Sequence, residues 1–322
     1  MRAILVTLVV TCAMLSGSMS FAQGYPVRAI KIVVPYPPGG VIDIMARQLS
    51  VPLARALSQS VVVENRSGAA GLMGHDAVAK ATPDGYTLVI AAAGPVAASV
   101  KLYKNMPYDA ARDFAPVGMV ADVDVVFVAS AAMKKDSLAE VIRYGRENPG
   151  KLRFGINSLG SMHHLLAEHF LSLTSINATR VPYKGAGQAV VDLLAGHIDV
   201  EMESLPVVTE YVKSGQLKVL AVASPKRIKT LPDSPTFGEL GLEPLVAAPW
   251  YALLAPAGTP KEIVGRLNDE LNKVLGSTGI RESFEKMGVR PVVASPEQTV
   301  SFLRSETEKW GRIVKESGVQ LD

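Results

Sequence analysis

The chain has 322 residues, of which 48% are hydrophobic and 20% are charged, and its formal net charge is +3. This length and composition suit a globular protein of two domains. So small an excess of positive charge argues against a nucleic-acid-binding protein.

The first 22 residues have the pattern of a secretory signal peptide. Arg2 supplies the positive charge, the apolar run from Ala3 to Leu15 is too short to span a bilayer, and Ser20-Phe21-Ala22 forms a small-x-small cleavage site. The single cysteine, Cys12, lies inside this segment. We therefore expect an exported, soluble mature chain without cysteine. That excludes thiol catalysis, cysteine–zinc sites and disulfides, and we expect no cofactor.

Strand-like runs alternate with helical patterns along the mature chain, which is typical of α/β folds with parallel sheets. Capping residues at Ser137, Thr259 and Ser295 predict helices over 138–147, 260–275 and 296–317. The predicted strands are Ile30–Val34, Val61–Glu64, Thr87–Ala91, Val123–Ala129, Leu152–Ile156, Ala178–Val181, His197–Met202, Leu217–Ala223 and Val246–Leu254.

Two loops near the N-terminus have the character of an anion site. The first strand ends at the loop PYPPGG, residues 35–40, and a Gly-rich loop ending at Gly71 follows the second strand. Glycine lets the backbone approach a ligand, and the first N–H groups of a helix favour an anion. Neighbouring parallel strands end at one edge of the sheet, so both loops are predicted to form one cradle for a carboxylate or phosphate. Two ordinary strand–helix turns are the alternative.

Two breaks in the pattern predict a pair of lobes. Asp122 and Asp124 interrupt a long apolar run from Phe114 to Ser130, as expected of a strand that leaves one lobe and enters the next. A proline-rich basic stretch after Ser224 predicts the return. We expect hinges near 122–124 and 224–228, a first lobe of residues 23–122 and 227–322, and a second lobe of residues 123–226.

The second lobe has a candidate loop of its own, Asn157 to Met162, between a strand and a helix. Ser158 and Ser161 either donate their hydroxyl groups to a bound anion or cap the helix. Lys184, in the next strand–loop–helix turn, either faces a carboxylate or lies on the surface.

Two alternative functions have weaker support. Ser158 lies between a strand and a helix, as a hydrolase nucleophile does, but the segment GINSLG has one residue too many for that turn. His163, His164, Glu168 and His169 lie close together on one helix, but metal sites need three or four converging ligands. We expect neither a catalytic residue nor a metal site.

Several short motifs span nearly the whole mature chain in a fixed order. They are Pro35–Gly40 with Asp43; Val63–Arg66 with Gly68, Gly71 and Gly74; Pro83–Tyr86; Val181–Gly185; Asp192–Leu194 with Gly196; Pro235-Thr236 with Glu239; Trp250; and Ala255–Pro260. Together they resemble the Bug/TctC substrate-binding proteins of tripartite tricarboxylate transport systems.

The resemblance implies a periplasmic two-lobed α/β protein of the type II, Venus-flytrap kind, each lobe a mainly parallel sheet flanked by helices. It implies a monomer, neither an enzyme nor a nucleic-acid binder, that holds a small carboxylate-bearing ligand between its lobes and delivers it to membrane permease subunits. Presentation of the ligand to a sensor kinase is the alternative. The candidate ligand-binding residues are Tyr36, Gly39, Gly40, Asp43, Ala69, Ala70 and Gly71 in the first lobe, and Asn157, Ser158, Ser161 and Tyr183 in the second.

The chain departs from the family pattern at three places. Val41-Ile42-Asp43 stands where Gly-Thr-Asp is common, Leu159 stands where a small residue is common, and Glu201-Met202-Glu203-Ser204 replaces an apolar pair followed by Asp-Asn. If Glu203 reaches the cleft, it would repel a second carboxylate or pair with an amine. We therefore add Glu203 to the candidate residues and expect a ligand with one carboxylate and a neutral or cationic far end. A solvated Glu203 outside the cleft is the alternative.

Overall fold

The computed structural model of the chain describes residues 24–99, 105–245 and 249–317. The predicted signal peptide, residues 1–22, lies outside the described residues. No helix in the described part of the chain is both long and apolar enough to cross a membrane.

Strands and helices alternate as the pattern predicts. The strands are β1 (Ile30–Val34), β2 (Val61–Asn65), β3 (Thr87–Ala92), β4 (Phe114–Val123), β5 (Val125–Ser130), β6 (Arg153–Asn157), β7 (Thr179–Tyr183), β8 (Val200–Ser204), β9 (Leu217–Val222), β10 (Trp250–Pro256) and β11 (Val289–Pro291). The helices are α1 (Val41–Leu57), α2 (Leu72–Ala79), α3 (Leu138–Glu147), α4 (Met162–Thr174), α5 (Ala186–Leu194), α6 (Leu205–Lys213), α7 (Lys261–Gly276), α8 (Thr278–Lys286) and α9 (Pro296–Ser317).

The strands form two separate sheets, in the orders β11-β4-β10-β3-β1-β2 and β7-β6-β8-β5-β9. In the first sheet β1 pairs in parallel with β2 and β3, and in the second β6 pairs in parallel with β7 and β8. Three strands run antiparallel to both neighbours: β4 and β10 in the first sheet and β5 in the second. These two sheets confirm the predicted two-lobed α/β fold class, but both are mixed rather than mainly parallel.

Both faces of the first sheet are covered, which explains why its strands are continuously apolar in sequence. Successive strand residues point to opposite faces. Val33 packs in a cluster with Leu72 of α2, whereas Ile32 packs with Met45 of α1 and Leu267 of α7. Because the faces are occupied, the free surface for a ligand is the edge where the strands end and the helices begin.

The chain passes from the first sheet to the second at a single residue. β4 ends at Val123 and β5 begins at Val125, so the crossing lies where the sequence predicts it. Asp124 is buried at this crossing and paired with a cation. Its carboxylate lies 2.5 Å from Arg290 Nη1, and the residue is only 3% exposed. Whether the crossing acts as a hinge stays a prediction.

The return to the first sheet takes a longer path. β9 ends at Val222 and β10 begins at Trp250. Between them, Thr236 pairs with Val222, and the ring of Phe237 lies 6.5 Å from that of Phe170 on α4. Because these contacts hold the segment against the second lobe, we propose that this lobe extends beyond residue 226 to include Phe237, so that the return to the first lobe comes after Phe237 rather than at 224–228.

Two of the three predicted helix caps are present. The hydroxyl oxygens of Ser137 and Ser295 accept hydrogen bonds from the backbone N–H three residues later, at 3.3 and 3.2 Å. The prediction for Thr259 is wrong. Its hydroxyl donates to the Pro256 carbonyl at 2.7 Å, so it secures the end of β10 instead of capping α7.

Candidate ligand-binding site

A cavity lies where loops of the two lobes meet. The space between its lining atoms is about 600 Å³, part of it open to solvent, and about 60 Å³ of it admits the centre of a water molecule. Since one water needs roughly 10–15 Å³ of such room, the cavity holds on the order of five waters, the size of a small organic acid. The predicted residues that line it are Tyr36, Gly40, Asp43, Asn157, Ser158, Ser161 and Glu203; those that do not are Gly39, Ala69, Ala70, Gly71 and Tyr183.

The two lobes touch beside this cavity. A Cβ on Gly185, before α5, would lie 3.1 Å from Pro37 Cδ, and a Cβ on Gly94, after β3, would lie 3.2 Å from the Gly160 carbonyl oxygen. At both points a glycine of one lobe lies so close to the other lobe that there is no room for an ordinary side chain. The lobes are therefore closed around the cavity at these points.

The start of α1 forms the first-lobe wall. Gly40 is the residue before the helix, and Val41 and Ile42 are its first two residues; all three line the cavity. The first N–H groups of a helix have no acceptor within it, and the helix dipole adds positive charge there. This wall is suited to an anion.

Asp43 positions the loop before α1. Its carboxylate accepts hydrogen bonds from the Gly39 N–H at 3.1 Å, from Arg47 Nε at 3.0 Å and from Asn65 Nδ2 at 2.9 Å. Asn65 Nδ2 also donates to the Tyr36 carbonyl at 3.1 Å. Burial acts to raise the pKa of Asp43, but the hydrogen bonds from Arg47, Asn65 and Gly39 outweigh it and lower that pKa. An ionised carboxylate with these partners orders the wall and leaves ligand contact to the backbone of α1.

The second predicted loop, at residues 69–71, contacts the side chain of Tyr36 rather than the cavity. Ala69, Ala70 and Gly71 have φ values of 45°, 54° and 94°, a conformation that strains alanine by about 1–2 kcal/mol per residue. The Tyr36 hydroxyl donates to the Ala70 carbonyl at 3.1 Å, and a Cβ on Gly71 would lie 3.1 Å from that hydroxyl oxygen. Tyr36 itself lines the cavity, so this loop supports a lining side chain.

The serines of the second lobe donate their hydroxyl groups within the protein. Ser158 Oγ donates to the Lys184 carbonyl at 3.0 Å. Ser161 Oγ donates to the Asn157 carbonyl at 2.6 Å and accepts from the His164 N–H at 3.2 Å, which caps α4. Of the two roles considered for Ser161, the structure shows capping. What both hydroxyls still offer the cavity is acceptor capacity.

Tyr183 and the helix histidines make other contacts. The Tyr183 hydroxyl donates to Asp192 Oδ2 at 2.6 Å. Glu168 binds Arg180 through two hydrogen bonds of 2.6 and 2.8 Å, which removes it from the neighbouring His164 as a potential ligand. In the described residues, no group of three or more His, Cys, Asp or Glu side chains is placed to hold a metal.

Glu203 lies in the cavity wall and is only 1% exposed. Its carboxylate accepts hydrogen bonds from Asn157 Nδ2 and from the Ser204 N–H, both at 2.7 Å. His163 Nε2 lies 4.0 Å away, but burial lowers the pKa of His163 to about 4, so it carries no charge at neutral pH. Burial raises the pKa of Glu203 to about 8, against the opposing effect of its two hydrogen bonds.

A second glutamate lies two residues earlier on the same face of β8. Glu201 is 0% exposed, and neither of its carboxyl oxygens has a hydrogen-bond partner in the described part of the chain. Burial, and then the charge of Glu203, raise the pKa of Glu201. Glu201 is not among the lining residues, so the pair consists of one acid in the wall and one behind it.

Among the lining residues that the sequence analysis did not predict, two have side chains that hydrogen-bond at the site. His163 Nε2 lies 2.8 Å from Ser204 Oγ, and the Tyr251 hydroxyl also hydrogen-bonds to Ser204. Tyr251 follows Trp250, one of the quoted motif residues, and that was the available signal. His163 follows the capping Ser161 by two residues, at the start of α4, where a lining residue would be expected.

Comparison with known proteins identifies the family. The sequence model of the tripartite tricarboxylate transporter family receptor, TctC, matches residues 45–319. The chain belongs to this family. Protein BugT of Bordetella pertussis is 43% identical over 301 residues, which cover 93% of this chain and 92% of BugT. Two solved structures agree: R. palustris Rpa4515 with adipate, 34% identical with a TM-score of 0.88 over 92% of this chain and 99% of that one, and the periplasmic binding protein BugD, 33% identical with the same TM-score and coverage.

In this TctC-family chain, no lysine or arginine occurs among the described lining residues. An anion there must be balanced by backbone dipoles. The lining includes the starts of three helices: residues 40–43 for α1, 161–163 for α4 and 185–186 for α5. This arrangement suits a carboxylate of modest charge better than a multiply charged anion.

Proposed function

We propose that this protein is a periplasmic solute-binding protein that captures a small carboxylate-bearing ligand between its lobes and passes it to the membrane subunits of a tripartite tricarboxylate-type transporter. The observation that carries the proposal is the cavity to which both lobes contribute. Membership of the TctC family, the adipate in the structure of Rpa4515 and the periplasmic location of BugD support it.

The ligand's carboxylate binds at the start of α1. The N–H groups of Val41 and Ile42 donate to it, and Asp43 holds the loop in place from behind. The second lobe then contacts the other end of the same molecule, and these contacts select the closed arrangement. We place the protein in the periplasm because its first 22 residues have the pattern of a signal peptide, and we propose that it acts as a monomer.

The protein binds its ligand without converting it. A serine nucleophile needs a base within hydrogen-bond reach, whereas Ser158 donates to a backbone carbonyl and His163 is bonded to Ser204. These contacts favour binding over hydrolysis.

Calorimetric titration tests the proposal. The purified protein is titrated with mono- and dicarboxylates of three to six carbons and with the corresponding amino acids, and NMR then checks that the bound compound is recovered unchanged. We expect micromolar or tighter binding of at least one of them. A wild-type protein that binds none of these compounds, or that alters one chemically, would overturn the proposal.

The variant Gly40→Val locates the carboxylate. A Cβ at Gly40 finds its nearest atom, the Pro37 carbonyl oxygen, at 4.0 Å, so valine fits the loop and fills the cavity side. We expect binding of every carboxylate to fall at least about 100-fold, equivalent to about 2.7 kcal/mol. The matched control is Gly279→Val, where nothing lies within 4 Å. Equal affinity of both variants would show that the anion wall is misplaced.

A further inference from the structure

The two serine hydroxyls of the second-lobe wall, and one N–H of the Asn157 amide, donate their hydrogen bonds within the protein. Asn157 donates to Glu203 at 2.7 Å, Ser158 donates to the Lys184 carbonyl at 3.0 Å, and Ser161 donates to the Asn157 carbonyl at 2.6 Å. The side chains of Ser158, Ser161 and Glu203 thus present oxygen lone pairs to the cavity, whereas the starts of α4 and α5 present backbone N–H groups. A ligand group that faces these three side chains is favoured if it donates hydrogen bonds.

The charge of this wall points the same way. None of the described residues around Glu203 supplies a positive charge at neutral pH. His163 on α4 is neutral because burial lowers its pKa to about 4. Glu201 on β8 is another acid, and Asn157 and Tyr251 carry no charge. The lining has a second carboxylate, Asp43, but that one is paired with Arg47. A buried carboxylate without a cation is costly, so Glu203 is favoured in its protonated form when the cavity is empty. Among the acids of the described lining, it is the one whose ionised form a ligand cation would stabilise.

We propose that the ligand is a small zwitterion, with its carboxylate at the start of α1 and a primary ammonium group against Glu203. This inference rests on the proposed function and specifies the far end of the ligand. A dicarboxylate of the same length would place its second carboxylate beside Glu203, which would then have to keep its proton, so no ion pair would form there.

The proposal has a defined proton balance. In the empty protein the Glu203 carboxyl group holds a proton at neutral pH, because burial raises its pKa to about 8. When the ammonium group binds, the Glu203 O–H bond breaks, the proton passes to the buffer, and the carboxylate pairs with an ammonium that keeps its three hydrogens. A group with a pKa of about 8 is about 90% protonated at pH 7, so close to one proton is released for each ligand bound.

The first test uses the wild-type protein alone. 4-Aminobutanoate and 5-aminopentanoate are titrated at pH 7 in phosphate and in Tris, whose ionisation enthalpies differ, beside succinate, glutarate, butanoate and pentanoate. We expect an amino acid of this series to bind at least about tenfold more tightly than the dicarboxylate and monocarboxylate of equal length. We also expect it to release nearly one proton and to gain about tenfold in affinity between pH 6 and pH 7. Tighter binding of a dicarboxylate, or no proton release with the amino acid, would overturn the inference.

The second test uses Glu203→Gln, which keeps the size of the side chain. We expect the amino acid to lose at least about tenfold in affinity, its proton release to disappear, and the dicarboxylate to bind as well as or better than before. Glu201→Gln is the matched control, since Glu201 lies behind the wall and its replacement should leave the ligand ranking unchanged. If Glu203→Gln fails to fold, the proton count on the wild-type protein decides.

These outcomes separate the two proposals. If no carboxylate of any class binds, the proposed function itself fails. If dicarboxylates bind more tightly than amino acids, and Gly40→Val abolishes that binding, the proposed function stands and the zwitterion inference is wrong.

Discussion

Raising the pH from 6.5 to 8 should destabilise the folded, ligand-free protein, because Glu203 is buried beside a second acid. Burial raises the pKa of Glu203 from 4.5 to about 8 in the folded state, whereas the unfolded chain ionises near the ordinary value. A group with a raised folded pKa contributes stability that is complete below pH 4.5 and is lost as the pH rises to about 8.

The size of the effect follows from the shift. Each pKa unit corresponds to about 1.4 kcal/mol of free energy of unfolding. The raised pKa of Glu203 therefore lowers that free energy by on the order of 5 kcal/mol between pH 4.5 and pH 8, of which about 2 kcal/mol is lost between pH 6.5 and pH 8. Glu201 adds to this loss in the same direction, since its pKa is also raised.

Two buried histidines act in the opposite sense on the acid side. Burial lowers the pKa of His75 and of His163 to about 4, so each contributes stability above pH 6.5 that is lost as the pH falls towards 4. That is about 3 kcal/mol each, opposite in sign to what Glu203 and Glu201 gain over the same fall. The two pairs oppose one another below pH 6.5, so the loss from the glutamates should be seen alone above pH 6.5.

Urea unfolding followed by circular dichroism, at half-unit steps from pH 5 to 8 and constant ionic strength, measures the free energy of unfolding. We expect it to fall by at least about 2 kcal/mol between pH 6.5 and pH 8, and we expect Glu203→Gln to reduce that fall by about the same amount. A free energy that stays level or rises over this interval would refute the reasoning, as would an identical slope in the variant.

Two further predictions follow from single contacts. Gly185→Ala should weaken ligand binding about tenfold in the calorimetric titration, because its Cβ would lie 3.1 Å from Pro37 Cδ when the lobes close. The control is Gly187→Ala, whose Cβ would have its nearest atom at 3.5 Å, and this variant should bind like the parent. Ser295→Ala should lower the free energy of unfolding by about 1 kcal/mol, because it removes a helix cap, and Thr259→Ala should cost less in the same urea experiment; the reverse order would show that the caps are misassigned.

Features that depend on neighbours in sequence were predicted well. β1 was predicted with its observed bounds, because a strand covered on both faces is a continuous apolar run between turn residues. The helices over 138–147 and 296–317 also have their predicted bounds, because a hydroxyl at the cap and its partner are three residues apart.

Features that depend on distant partners could not be predicted. Asn157 and Glu203 meet across neighbouring strands although 46 residues separate them, and no spacing rule gives that pairing. For the same reason the sequence could not show that Ser161 is used within its own lobe, or that Tyr36 of the first loop carries the contacts of the loop at Ala70. The residue types at the site were predicted, but which of their donors remain available to a ligand was not.

The cost of Glu203 to stability and its proposed role in ligand choice are two effects of one desolvated carboxyl group. A ligand ammonium would supply the positive charge that the described lining lacks, so part of the free energy lost above pH 6.5 should be recovered on binding. Replacing Glu203 should therefore change both the pH dependence of unfolding and the ligand ranking. Replacing Glu201, which is buried behind the wall, should change only the first. If replacing Glu201 alters the ligand ranking as much as replacing Glu203 does, then both acids act on the ligand. The distinction between Glu203 in the wall and Glu201 behind it would then be wrong.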